Sequence, residues 1–212
     1  MNDPWKLDDV NFDQQKGQLI IFISHKRGSK LSCPECGDKC SIHDTRERTW
    51  RHLNFFQYKT YIHCKVPRIS CPKHGVKQVK VPWSRPGSGF TLLFEAFIME
   101  LAAVMPVNAI SRLVGEYDTR IWRIMNYYVD RARSKENFSE AKNIGIDETS
   151  SKRGHNYVTL FFDLDKSKVV YATEGKDAAT INSFIEDLKE HKGNPGQIKN
   201  VCCDMSPVVI KG

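Results

Sequence analysis

No stretch of this 212-residue chain approaches the run of about twenty apolar residues that a membrane-spanning helix needs, and the opening "MNDPWKLDDV" lacks the basic-then-apolar pattern of a secretory signal. A cytosolic protein is therefore expected. Acidic residues are scarce where basic ones are dense: residues 16–91 hold fifteen Lys or Arg against four Asp or Glu, whereas residues 141–212 are balanced at ten and ten. The whole formal excess of +7 falls N-terminal to residue 141, which implies a polyanionic partner, nucleic acid first. Seven cysteines, an odd number in a reducing compartment, argue against a disulfide framework and for metal ligation by closely spaced pairs.

Two short stretches rhyme, "CPECG" at 33–37 and "CPKHG" at 71–75. Each holds two ligands three positions apart with a glycine directly after the second, so the backbone can turn back while both side chains reach one ion. Three thiolates and an imidazole suit Zn²⁺, and the expected ligands are Cys33, Cys36, Cys71 and His74. Cys40 and His43 rank second because neither belongs to a repeated knuckle. Cys64 alternates with Tyr58, Thr60, Ile62 and Val66 and reads as core; Cys202 and Cys203 lie in an apolar run and are expected to pack. The stretch between the knuckles reads as a β-hairpin clamped by the metal, a zinc ribbon. Its Arg46, Arg48, Arg51, Lys59, Lys65 and Arg68 are candidates for phosphate contact.

"VPWSRPGSGF" at 81–90 reads as a linker. Beyond it the period becomes helical: Leu92, Leu93, Ala96, Phe97, Glu100, Leu101 and Val104 share a spacing, and Pro106 opens a shorter helix with Val107, Ile110, Leu113 and Val114 on one side and Gly115 as its stop. Asp118 is placed to cap a third helix, with Ile121, Trp122, Met125, Tyr128, Val129 and Ala132 expected inside and Arg120, Arg123 and Asn126 outside. That layout is a helix-turn-helix.

From residue 141 the pattern predicts β-β-β-α-β, a meander followed by a right-handed crossover that lays the last strand parallel to the first. Asp147 and Asp204 then emerge side by side, and paired carboxylates call for Mg²⁺ or Mn²⁺, half of a two-metal phosphoryl-transfer site. Asp163 and Asp165 read as turn residues and Asp177 as a helix cap; Glu148 belongs to the opposite face of its strand.

With these parts in place the chain resembles the ISL-three family of insertion-sequence transposases, in the two knuckles and in "TWRHLNFF", "VPWSRPGSGFT", "GIDETSSKRGHNYVTLFFDLD", "ATEGKDAAT" and "DMSP". The resemblance implies a multidomain α+β chain: a zinc ribbon over 1–90, a helix-turn-helix over 91–138 and the first part of an RNase H-like α/β domain over 139–212. It makes Asp147 and Asp204 the first two acids of an Asp, Asp, Glu triad. It also implies double-stranded DNA with terminal inverted repeats as partner, alongside a second copy or an intact transposase, in a bacterial cytoplasm at the nucleoid. The third acid belongs on a helix beyond Asp204, so a truncated product is expected; "VVIKG" also departs from the small-then-aromatic pair usual after the proline. Metal-dependent cleavage and strand transfer is the family's chemistry, and this chain, without the third acid, is expected to be catalytically incomplete, binding DNA but neither cleaving nor joining it. A DNA-binding protein that competes with intact transposase is the alternative, and a standalone nuclease a weaker one.

Overall fold

The computed structural model describes residues 4–152 and 156–203, gathered into two compact units divided between Asn126 and Tyr127. Asp204 and the residues after it lie outside the described residues.

The first unit is built on a hairpin of β4 (Lys39–Phe55) and β5 (Tyr58–Cys71). Their β-branched and aromatic residues pair across in antiparallel register, Trp50 with Ile62 and Arg48 with Cys64. Inward positions alternate along β5, so that Ile62, Cys64, Val66 and Ile69 are all buried. β3 (Leu31–Ser32) adds to β4 and β6 (Gly75–Gln78) to β5. Two further strands, β1 (Trp5–Asp13) and β2 (Gln18–His25), extend the sheet beyond the hairpin in the order β1-β2-β5-β4-β3. β2 runs parallel to β5, from Gln18 beside Lys59 to Ile23 beside Cys64.

Residues 81–90, expected as a linker, form a packed strap. Trp83 sets its ring edge-on against Trp5 and Trp50, with centroids 4.9 and 5.6 Å apart. Ser84 and Phe90 are buried, and the Ser84 hydroxyl donates to the Phe90 carbonyl at 2.8 Å. The Arg51 amide donates to the Gly89 carbonyl at 2.9 Å, and the Thr91 amide donates back to the Arg51 carbonyl at 3.0 Å. Proline and glycine here shape a fixed path rather than a loose one, because the backbone groups they leave find partners on β4.

Three helices follow: α1 (Leu92–Ala102), α2 (Val107–Val114) and α3 (Asp118–Arg133). Thr91 caps α1 by accepting from the Phe94 amide, and α2 ends at Gly115 in the left-handed region, φ 64°. The buried faces differ from those expected. α1 buries Phe94, Glu95 and Ile98 and leaves Leu93 at 61% exposure. The helix is apolar nearly all round, so spacing alone did not choose its face; the Arg85 and Ser88 partners of Glu95 did. On α3 the buried residues are Ile121 and Ile124, while Trp122, Val129 and Ala132 are exposed. Leu113 on α2 is exposed as well.

The second unit holds a four-stranded sheet, β7 (Asn143–Lys152), β8 (Asn156–Asp163), β9 (Lys168–Glu174) and β10 (Asn200–Cys203), in the order β10-β7-β8-β9. β7, β8 and β9 form an antiparallel meander, and α4 (Ala178–Glu190) crosses over to bring β10 parallel to β7. Phe161 and Phe184 stack at 4.3 Å to join sheet and helix. Asp177 caps α4 by accepting from the Ala179 amide, and Asp163 accepts from the Asp165 and Lys166 amides in the hairpin turn. Cys202 is exposed and Cys203 half-buried, against the expectation that both pack, since β10 is an edge strand with Val201 exposed beside them.

Candidate metal centre and nucleic-acid interface

The two knuckles meet because β3 and β4 carry one and the β5–β6 turn carries the other, on strands paired by the long hairpin. Gly37 and Gly75 take φ of 78° and 69°, the left-handed turns that fold each second ligand back. The ligand atoms of Cys33, Cys36, Cys71 and His74 all lie within 4.8 Å of one another. Cys36 and Cys71 sulfurs are 3.7 Å apart, and His74 Nδ1 stands 3.7 Å from Cys33 Sγ and 3.6 Å from Cys71 Sγ. Zn–S bonds of about 2.3 Å and a Zn–N bond of about 2.0 Å at tetrahedral angles require S···S and S···N edges of roughly 3.8 and 3.5 Å. The donors therefore stand where one tetrahedral ion needs them.

Sulfurs this close oppose one another's ionisation. The Asp38 amide draws the Cys36 pKa down, but burial and the sulfurs of Cys33 and Cys71 outweigh it and push the thiol up to about 12; a divalent cation reverses that balance. Behind the imidazole, Glu35 lies 3.6 Å from His74 Nε2 and is itself held by Lys77 at 2.7 Å. This carboxylate orients the ring for ligation through Nδ1. It is the variable residue inside "CPECG", and no spacing rule marks it. Cys40 points elsewhere, its thiol donating to the Asp38 carbonyl at 3.4 Å, and His43 is exposed; neither joins the cluster.

The candidate nucleic-acid residues divide. Arg46, Arg48 and Lys65 are exposed on the hairpin, whereas Arg68 is held by both Asp44 oxygens and Lys59 donates to the Gly115 carbonyl at 2.7 Å, across the end of α2. Arg51 is a correction. It is 2% exposed and cannot meet a phosphate. Its guanidinium bonds the His52 and Thr60 carbonyls and Asn54 Oδ1, stands 3.5 Å from Glu116 and faces the Phe94 ring at 5.2 Å. Arginine fills this interior position because its planar donors satisfy several acceptors at once while its face lies on an aromatic ring.

Glu116, in the turn between α2 and α3, also accepts from Arg120, whose guanidinium sits 4.3 Å over Phe90. The turn is pinned further by Ser111 Oγ, which donates to the Glu116 carbonyl at 2.7 Å. A ribbon residue, the turn and the first coil of α3 thus share one ion network within the first unit. Arg123 and Asn126 are exposed on α3, with Thr119 and Trp122 at the same helical spacing. Trp122, at 49% exposure, was expected inside; it belongs to the outer face.

Asp147 is exposed on β7, on the opposite side of the strand from Ile144 and Ile146. Its strand does not stop there: β7 continues to Lys152, paired with β8 beyond it. The parallel register from Asn200 beside Asn143 to Cys203 beside Ile146 brings the described end of β10 level with Ile146, one residue before Asp147. The expected partner Asp204 lies outside the described residues. Among the described residues the Cys33, Cys36, Cys71 and His74 set is the one group of three or more donors close enough for a metal, and no helix is long and apolar enough to cross a membrane.

Comparison with known proteins matches three successive stretches to family models: a zinc finger of the transposases IS204, IS1001, IS1096 and IS1165 over residues 30–74, the helix-turn-helix domain of transposase family ISL3 over 79–129, and a transposase domain of the same family over 144–212. Among curated proteins the chain is similar to the transposase for insertion sequence element IS1557 of Mycobacterium tuberculosis, 31% identical over 211 residues that cover 93% of this chain and 46% of that protein. It is 23% identical to the transposase for IS1001 of Bordetella parapertussis over 203 residues, 94% of this chain and 49% of that one. The chain spans about half the length of the curated relatives it matches. No solved structure matches.

Proposed function

Because the chain belongs to the ISL3 family of transposases, we propose that its first unit binds double-stranded DNA at the terminal inverted repeats of an insertion sequence, with the outer face of α3 in the major groove. The observation that carries this reading is the Arg51–Glu116–Arg120 network, which ties the first coil of α3 to the sheet of the first unit and leaves Arg123 and Asn126 outward. A helix read by base edges needs that rigidity, since each bidentate contact tolerates little misplacement. Asn126 is the base-edge candidate, with Arg123 beside it on the same exposed face; Arg46, Arg48 and Lys65 supply sequence-independent attraction to phosphates. The cluster of Cys33, Cys36, Cys71 and His74 holds Zn²⁺ as a structural ion that locks the far end of the hairpin.

The second unit contributes Asp147 and, beyond the described residues, Asp204 to a metal-dependent site for DNA cleavage and strand transfer. There Mg²⁺ or Mn²⁺ would activate the attacking oxygen and neutralise charge on the scissile phosphate. Asp147 would serve as an oxygen ligand, exposed on a strand paired rigidly on both sides. The protein acts in the bacterial cytoplasm, on DNA of the nucleoid, with a second copy engaging the other element end.

Gel-shift titration of the full chain on duplexes carrying the flanking inverted repeats, against shuffled duplexes of equal composition, tests the binding role. Preference for the repeats that falls toward the shuffled level in Asn126→Ala supports it; equal affinity for both duplexes in the parent chain overturns it. Strand cleavage by a family-length protein, abolished by Asp147→Asn, tests the second unit's role.

A further inference from the structure

Within the first unit a cleft of about 160 Å³ lies between the strap and α3, lined by Arg85, Gly87, Gly89, Arg120 and Arg123 among others. Its chemistry is one-sided. Arg85 pairs with Glu95 at 3.0 Å, and Arg120 shares Glu116 with the buried Arg51. Three guanidiniums, those of Arg85, Arg120 and Arg123, line this partly enclosed space, where screening by water is weakened, and no carboxylate is among its described lining residues. An anion is the ligand that such a site lacks.

The backbone is shaped to let that anion in. Gly87 adopts φ 78° with open space where a Cβ would stand. At Gly89 a Cβ would lie 3.4 Å from Arg120 Nη2, an ordinary contact, so the strap runs directly beside the guanidinium. Arg120 is in turn fixed by the Phe90 face and by Glu116, while Arg123, one position short of a turn further on, is exposed at the cleft's outer side. One donor is held in place and the other is exposed, and both stand on the helix proposed to face the groove.

We propose that this cleft binds a phosphodiester of the DNA backbone next to the groove read by α3, with Arg120 and Arg123 as its donors and the Gly87–Gly89 strap as its wall. It deepens the DNA-binding reading above and rests on it. The contact sets the register of α3 along the duplex and carries no sequence preference of its own.

The test uses the full chain and two substitutions matched in size. Gly87→Asp places a carboxylate at the open mouth, and Gly87→Asn is its uncharged counterpart; both residues tolerate the left-handed backbone. Binding is measured against salt on a mixed-sequence duplex and on a duplex enriched from a random library by the parent chain. If the cleft takes a phosphate, Gly87→Asp and Arg123→Ala each reduce the steepness of log K against log salt by about 0.9, the value of one phosphate contact, on both duplexes, while Gly87→Asn matches the parent. Indistinguishable slopes for Gly87→Asp and Gly87→Asn overturn the proposal. Asn126→Ala separates this from the recognition reading: loss of discrimination there with no slope change in Gly87→Asp removes the cleft alone, and the reverse pattern removes the recognition helix and leaves the cleft.

Discussion

Replacing Glu116 by Gln should cost the first unit about 3 kcal/mol of stability, although Glu116 touches no proposed ligand. The carboxylate is almost fully buried, as is the Arg51 guanidinium 3.5 Å away. At an effective dielectric of about 20 the attraction at that distance is on the order of 5 kcal/mol. Arg51 keeps the His52 and Thr60 carbonyls and Asn54 Oδ1 after the change, which lowers the loss toward the bottom of the roughly 3–5 kcal/mol seen when one partner of a buried pair is removed. For a unit of this size that corresponds to a fall in Tm of about 10 °C. Urea unfolding followed by tryptophan fluorescence, which Trp5, Trp50 and Trp83 report from within the sheet, measures it. Glu47→Gln is the control: its pair with Lys65 is exposed at 3.8 Å and should leave the midpoint unchanged. Arg51→Met combined with Glu116→Gln should recover part of the loss, since the uncompensated charge is then gone. A single-variant loss under about 1 kcal/mol, or strictly additive losses in the pair, would refute the buried-network argument.

Cys71→Ser should remove stoichiometric zinc from the full chain, measured by metal analysis, and retention of one zinc would reject the four-ligand assignment. Glu35→Gln should keep zinc but weaken its affinity by about 10- to 100-fold in a chelator competition, because His74 loses its orienting carboxylate. His52 gives a pH dependence: burial, then the neighbouring Arg51 charge, lowers its pKa, and it lies 2.8 Å from the Thr91 hydroxyl that caps α1. The unfolded chain therefore takes up the proton first, so stability is level above about pH 6.5 and declines as pH falls below it. With zinc saturating, His52→Gln should flatten the urea midpoint between about pH 7 and pH 5; an unchanged slope would place the dependence elsewhere.

Short-range chemistry is legible in the residue order alone. The paired knuckles named Cys33, Cys36, Cys71 and His74 because ligand spacing and a following glycine are local constraints, and the β-β-β-α-β order followed from periodicity with a helix cap at Asp177. The tertiary structure decided which face of each helix is inside. α1 is apolar on most sides and α3 carries two overlapping stripes, so only the strap and its Glu95 partners, and the packing around Ile121 and Ile124, could choose. It likewise turned Arg51 from a surface cation into the centre of a buried network, since its partner Glu116 stands sixty-five positions away and no window of sequence joins them. The strap made the same point in reverse: prolines and glycines signal a break in regular structure, but whether that break is loose or clamped depends on Trp83, Ser84 and Phe90 finding partners on distant strands.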